Sequence, residues 1–341
     1  MRVDELDYCL PPRAIAQEPA EPRDSARLLE VRLPGGALAD RQFSELPQLL
    51  NEGDLLVVND ARVSARRLRG RLPTGGAVEV LVTKKRDDEY YDALVRPSKK
   101  LIEGRTFNLE NTIAATVVER RGEGLCVLKL DFGGAEPDLA AVGTTPLPPY
   151  FCGKLLCDDR YQTVYSRADG SSAAPTAGLH FTHCVLDALR RRGVGIACVT
   201  LNVGIDTFRP MTADQTSDHK MHGEEYEIPV ATADAISSAR GRIFAVGTTC
   251  VRALESAATE ARRVRVGTGS TRLFIEPGFR FQIVDGLLTN FHMPRTTMLM
   301  MVAALSSVSV LRDAYHHALA AGYRFLSFGD CMLLTPEVTE K

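Results

Sequence analysis

Long apolar runs are missing from this chain of 341 residues. A membrane-spanning helix needs about 20 consecutive apolar residues, and the longest candidate, Met298 to Leu305, falls far short. No Cys-x-x-Cys pair occurs among the eight cysteines, which removes the usual framework of a zinc site; Cys152 and Cys157 alone are a weak substitute. Scattered thiols, several inside apolar runs, suit a reducing cytoplasm. A P-loop and a Gly-x-Ser-x-Gly elbow are both absent. Gly193-Val194-Gly195 precedes an apolar run instead of following one, so the dinucleotide-binding turn, which follows a strand and opens a helix, is excluded as well. Excess charge of one sign is lacking too. A formal net charge of −2 rules out strong steering of the whole molecule toward nucleic acid but leaves room for a local basic face. The opening Arg2, Asp4, Glu5 and Asp7 are unlike a secretory or transit peptide, and no internal repeat or low-complexity tract occurs.

Hydrophobic residues make up 45% and charged residues 25%, ordinary for a globular protein. The length exceeds what one core usually supports, so two domains are expected. Leu55 to Val58 reads as a buried strand ending in Asn59-Asp60-Ala61-Arg62. From about 64 to 133 the pattern changes to short alternating runs (Val78 to Val82, Tyr90 to Val95, Thr112 to Val118, Leu125 to Leu130) between Gly- and Asp-rich turns, the mark of an antiparallel sandwich or small barrel. Residues 61 to 105 hold 12 Lys plus Arg against 6 Asp plus Glu, a local charge of +6 that leaves −8 for the rest. Such bunching suits either a phosphate backbone or a solvated surface.

Beyond a Pro- and Gly-rich linker (Gly143 to Pro149) the composition returns to α/β. The spacing predicts a helix over about Thr182 to Arg192, a strand over Ile196 to Leu201, a helix over Ala231 to Arg240, and a strand over Ile243 to Val246 that runs through Gly247-Thr248-Thr249 into a helix over Cys250 to Arg262. Helices near Thr297 to Leu305 and over Leu311 to Ala321 follow. The strand, Gly-Thr-Thr, helix order puts free backbone N–H groups and two hydroxyls at a helix start, suited to an anion or a ribose. Gly plus polar residues mark the strand ends at 59–62, 202–207, 247–249 and 289–292, and several such ends in one α/β sheet argue for a shared crevice.

The loop Pro175-Thr176-Ala177-Gly178-Leu179-His180-Phe181, led in by Tyr161 to Tyr165, delivers a titratable group near a helix start, and Gly178 is free to take angles closed to other residues. His180, His222 and His292 are acid/base candidates because imidazole titrates near neutrality. A metal reading through His219, His222 and Glu224 lacks the HExxH arrangement. His316 and His317 fall on a surface helix with no role.

Taken in order, Asp4 to Tyr8, Asn59 to Val63, Pro146 to Tyr150, Tyr161 to Tyr165, Ala174 to Phe181, Gly247 to Glu255, Thr289 to His292 and Tyr323 to Phe325 span nearly the whole length. On these motifs the chain resembles the S-adenosylmethionine:tRNA ribosyltransferase-isomerase family of the queuosine pathway. The resemblance implies an α/β fold, an αβα sandwich main domain (1–63 and 146–341) with an inserted antiparallel β-barrel domain (64–145). It implies transfer of the ribosyl part of S-adenosylmethionine to 7-aminomethyl-7-deazaguanine at the tRNA wobble position, giving epoxyqueuosine, with adenine and methionine leaving. S-adenosylmethionine is then a co-substrate, no cofactor is permanently bound and no metal is needed. The partner is a tRNA with a GUN anticodon, and a cytoplasmic monomer away from membranes is expected.

That chemistry asks for a base beside the sulfonium carbon, an acid for departing adenine, and a grip on the ribose. His180 and His292 are assigned the acid/base roles. Thr248, Thr249 and Arg252 are expected to hold S-adenosylmethionine, and Asn59, Asp206 and Asn290 to orient ribose or base. Arg62, Tyr165, Pro175, Thr176, Ala177, Gly178 and Phe181 complete the expected substrate contacts. The chain departs from the family pattern Leu-His-Val-Gly-x-Gly-Thr-Phe at Asn202 and Asp206, and Cys250 replaces the commoner Ser. Asn cannot transfer protons at neutral pH, so a repurposed, non-catalytic tRNA-binding protein on the same scaffold is the alternative reading.

Overall fold

A computed structural model describes residues 2–110, 112–122, 124–134, 139–153, 155, 157–204, 211, 215–216, 221 and 223–337. Asp206, His219 and His222 therefore lie outside the described residues. The chain forms two compact units, one of residues 1–61, 148–168 and 174–341, the other of residues 62–147 and 169–173.

Among the described residues, the first unit is built on a nine-stranded sheet in the order Gly267–Thr271, Glu224–Ile228, Gly195–Leu201, Leu55–Asn59, Ile243–Val246, Gly286–Asn290, Cys331–Pro336, Arg27–Leu33 and Ala37–Gln42. The four in the middle of that order from Gly195 to Asn290 run parallel. Their near-continuous apolar sequences follow from burial on both faces, and every residue of Leu55–Asn59, Ile243–Val246 and Gly286–Asn290 is buried. On one face, Leu56, Val58, Phe244, Val246 and Leu288 join Val185, Leu186 and Leu189 of the helix His183–Arg191 in a single core that also holds Phe43 and Phe181. Thr182 caps that helix by accepting from the Val185 N–H at 3.3 Å, and Gly193 ends it at φ +77°. The helix Thr248–Ala257 packs on the same strands through residues outside that core, so the sheet is covered twice.

The second unit contains a closed antiparallel barrel in the order Leu125–Asp131, Tyr90–Arg96, Ala77–Lys85, Arg66–Arg71, Thr106–Leu109 and Ile113–Gly122. Alternate residues (Leu68, Val80, Val82, Ala93, Val95, Phe107, Leu109, Ala115, Val117, Leu128) fill its interior, as closure of a small barrel requires. The α/β body and antiparallel barrel are the fold class the sequence implied.

Several elements differ from the sequence-based expectation. The helix expected to reach Arg262 stops at Ala257, and Ala258–Glu260 pairs antiparallel with Arg263–Val264. Tertiary bonds override helix propensity there: Arg262, at φ 56°, donates to Ala239 O (3.3 Å) and Gly241 O (2.8 Å) and pairs with Asp285 at 2.9 Å. The strands Arg66–Arg71 and Thr106–Leu109 went unrecognised because their outward residues are charged or polar. No single helix among the described residues is long and apolar enough to cross a membrane.

Candidate active site

Because four neighbouring strands run parallel, Leu201, Asn59, Val246 and Asn290 all end on one edge of the large sheet. That edge is where open α/β sheets bind ligands. Asn59 ties the ends together. Its carboxamide oxygen accepts from Leu201 N (3.1 Å) and Ala61 N (3.0 Å), while its Nδ2 donates to Leu201 O (3.0 Å) and Thr249 Oγ1 (3.3 Å). With both N–H groups and both lone pairs used internally, Asn59 positions Thr249 and offers a ligand nothing of its own.

Two adjoining clefts open at this edge. One, about 30 Å³, is lined by Ala174 to Ala177, Gly247 to Thr249, Thr289, Asn290, His292, Val203 and Met298. The other, about 20 Å³, adds Tyr150, Phe291, Met293, Leu326 and Ser327, and shares Thr176, Asn290, His292 and Met298 with the first. Pro175, Thr176, Ala177, Thr248, Thr249, Asn290 and His292, named from sequence, thus meet in one place. Each volume holds one or two waters.

Gly247 makes the helix start possible. Its φ of 85° and ψ of 154° fall in a region essentially reserved for glycine, and they turn the chain from the strand end into Thr248–Ala257. The first N–H groups of that helix have no intrahelical acceptor. Gly178 differs from its sequence-based reading: it needs no unusual backbone angle. It sits in the 3₁₀ turn Thr176–His180 at an ordinary φ, and a Cβ there would lie 2.1 Å from the Tyr165 hydroxyl oxygen. Space for Tyr165 is what demands glycine. Tyr165 and the fully buried Phe181 lie behind the turn, Phe181 packed edge-on against Phe43 at 4.9 Å and Tyr165 at 6.0 Å.

His180 does not line either cleft, yet it reaches them through Asn290, whose Nδ2 lies 3.1 Å from His180 Nε2. With the amide nitrogen as donor, His180 Nε2 accepts and the ring proton sits on Nδ1. The Asn290 Oδ1 is buried without a hydrogen-bond partner, an acceptor at the wall shared by both clefts. His292 Nε2 lies 2.8 Å from Thr289 Oγ1. Its backbone is fixed from both sides, N–H donating to Tyr315 at 2.8 Å and the carbonyl accepting from Tyr8. Burial lowers the His292 pKa to about 3; for His180, burial first and then Arg324 and Arg23 do the same, also to about 3. Both imidazoles are therefore neutral at physiological pH.

Arg252 is committed elsewhere: its guanidinium forms a buried ion pair with Glu224 and reaches Thr271 O at 3.4 Å. Glu224 also accepts from Gly204 N at 3.4 Å, so the pair steadies the segment after Leu201. The same pairing takes the carboxylate from the metal reading. Among the described residues no group of three His, Cys, Asp or Glu is arranged to hold a metal. Arg62 belongs to the second unit, where it is exposed 3.9 Å from Asp169. Asn202 has its Oδ1 buried and unpartnered.

Sequence reasoning gave no site role to Met298 or Ser327, and none individually to Tyr150 or Thr289, which it named only within motifs; Tyr150 and Ser327 join hydroxyls at 2.5 Å. The signal for Ser327 was the polar break Ser327-Phe328-Gly329-Asp330 just before the last strand.

A family model described as "Queuosine biosynthesis protein" matches residues 3–334. Relatives named S-adenosylmethionine:tRNA ribosyltransferase-isomerase include one from Azoarcus sp., 48% identical, covering 98% of both chains. Another, from Nitrobacter winogradskyi, is 46% identical over 99% of each chain. The crystal structure of S-adenosylmethionine tRNA ribosyltransferase from Thermotoga maritima superposes with a TM-score of 0.55 at 34% identity, covering 97% of this chain and 99% of that one.

Proposed function

The chain belongs to the queuosine biosynthesis protein family, and from that membership we propose that it is an S-adenosylmethionine:tRNA ribosyltransferase-isomerase working at the strand-end clefts. It transfers and isomerises the ribosyl part of S-adenosylmethionine onto 7-aminomethyl-7-deazaguanine at the wobble position of a GUN-anticodon tRNA, releasing adenine and methionine. The observation that carries this reading is the convergence of Pro175–Ala177, Gly247–Thr249 and Thr289–His292 on one pair of clefts sharing the unpartnered Asn290 Oδ1.

The helix start at Thr248 and Thr249 supplies hydroxyls and N–H groups for the ribose, held in place by Asn59. Asn290 Oδ1 accepts from a ribose hydroxyl or an exocyclic amine, with His180 Nε2 and Leu326 O fixing the opposite end of the amide. His292 is assigned the sulfonium-adjacent proton on position, because it lines both clefts beside Thr289; a pKa near 3 makes the buried ring a weak base, so basicity is not what supports the role. His180 acts through Asn290, a narrower part than the acid/base role it was expected to share with His292. Arg252 works through Glu224 and Gly204 instead of touching substrate. Tyr165, Gly178 and Phe181 support the turn that carries Thr176. The barrel is an inserted domain, and the protein works as a cytoplasmic monomer with no resident cofactor.

The test is adenine release from S-adenosylmethionine in the presence of tRNA bearing the deazaguanine precursor. Stoichiometric adenine and ribosylated tRNA are expected. Tight tRNA binding without adenine would instead identify a repurposed binding protein.

A further inference from the structure

The barrel carries a second feature, a groove of about 1200 Å³ lying wholly within that unit. Its walls include Arg69, Arg71, Arg96, Lys99 and Lys100, all exposed. Register explains why they share a face. Arg69 pairs with Glu79 and Glu79 with Arg96 on three adjacent strands, so these side chains stand side by side. Arg71 lies two residues beyond Arg69 on the same strand, and Lys99 and Lys100 sit in the 3₁₀ turn Ser98–Lys100 just after Arg96.

The two carboxylates of the groove are already engaged. Glu79 lies 3.6 Å from Arg67, and Glu110 accepts from the backbone N–H of Arg69 at 2.6 Å. Among the described residues Arg69, Arg96, Lys99 and Lys100 form no ion pair. The concentration is local, since residues 61 to 105 carry +6 in a chain of net −2. Lysine and arginine that close together repel one another and cost stability unless a polyanion uses them.

We propose that this groove binds the phosphate backbone of the tRNA substrate, a sequence-independent electrostatic contact separate from the clefts where the wobble base reacts. The proposal rests on the tRNA reading above and adds where on the barrel the nucleic acid is held. An acidic protein partner is the competing occupant.

The experiment compares wild type with the triple variant Arg96→Gln, Lys99→Gln, Lys100→Gln, and with a control, Lys84→Gln and Arg120→Gln, which neutralises exposed cations outside the groove. Equilibrium binding of tRNA is measured by fluorescence anisotropy between 50 and 200 mM salt, alongside steady-state adenine release. Each lost phosphate contact lowers the salt slope by about 0.7 to 0.9. The triple variant should lose about 2 in slope and about tenfold in tRNA affinity. Its KM for tRNA should rise accordingly, with kcat at saturating tRNA and the KM for S-adenosylmethionine unchanged. The control should match wild type. Because all three side chains are exposed, the thermal midpoint should hold; if it does not, the Lys99→Gln, Lys100→Gln pair carries the same test with a slope change of about 1.5. Unchanged affinity and slope overturn the proposal and leave the groove to an acidic partner. If wild type binds tRNA through the groove but releases no adenine, the catalytic reading fails while the groove stands.

Discussion

Two buried neutral histidines make the stability of this protein depend on pH in a window where few other groups titrate. His180 and His292 each have a pKa lowered from 6.5 to about 3 in the folded chain. Between those values the unfolded chain binds the proton and the folded one does not, so stability is full above 6.5 and falls as pH drops toward 3. Each pH unit of mismatch is worth roughly 1.4 kcal/mol per group. At pH 5, some 1.5 units below the unfolded value, each histidine costs about 2 kcal/mol and the two together about 4 kcal/mol. That is a large share of a typical stability of ~5–15 kcal/mol. Urea unfolding at pH 7.5 and pH 5 measures it, in wild type and in His180→Gln and His292→Gln. Other groups move the curve too. Burial raises the Glu255 carboxyl, and hydrogen bonds with Arg32 and Arg41 hold Glu30 low against burial, but these act equally in wild type and variant. The difference therefore isolates the histidine. Each variant should lose about 2 kcal/mol less than wild type on acidification. Equal losses in all three proteins would show that the imidazoles titrate normally, and the reading of both rings as held neutral by burial would fall.

Removing the His180 ring (His180→Ala) frees the Asn290 amide from its anchor and should cut single-turnover adenine release by a factor on the order of 10², with circular dichroism unchanged. Gly178→Ala places a Cβ 2.1 Å from the Tyr165 hydroxyl and should cost about 1–3 kcal/mol in chemical denaturation; adding Tyr165→Phe, which deletes that oxygen, should restore part of it. Gly247→Ala forces a Cβ onto φ 85° and ψ 154°, which should cost about 1–3 kcal/mol and raise the KM for S-adenosylmethionine by displacing Thr248 and Thr249.

Much of the sheet is legible in the sequence because strands buried on both faces must be apolar throughout, as Leu55–Val58 and Ile243–Val246 are. Their polar ends mark the ligand edge because buried polar groups such as Asn59 and Asn290 are placed where strand ends supply hydrogen-bond partners. What sequence does not display is commitment. Asn59, Arg252 and Gly178 look free in one dimension, yet each is used up by a residue distant in the chain: Leu201 with Thr249, Glu224, and Tyr165 respectively. The Tyr150–Ser327 pair was invisible because 177 positions separate its members. The hairpin after Ala257 was hidden by Arg262, whose partners lie on other elements.

Asn290 is at once strand end, shared cleft wall, His180 partner and unpartnered acceptor. Single-turnover adenine release by Asn290→Leu, with precursor tRNA and S-adenosylmethionine both saturating, tests it most directly. A fall of roughly 10²-fold or more, with tRNA affinity unchanged, is expected; a rate within about threefold of wild type would place the chemistry somewhere other than these clefts.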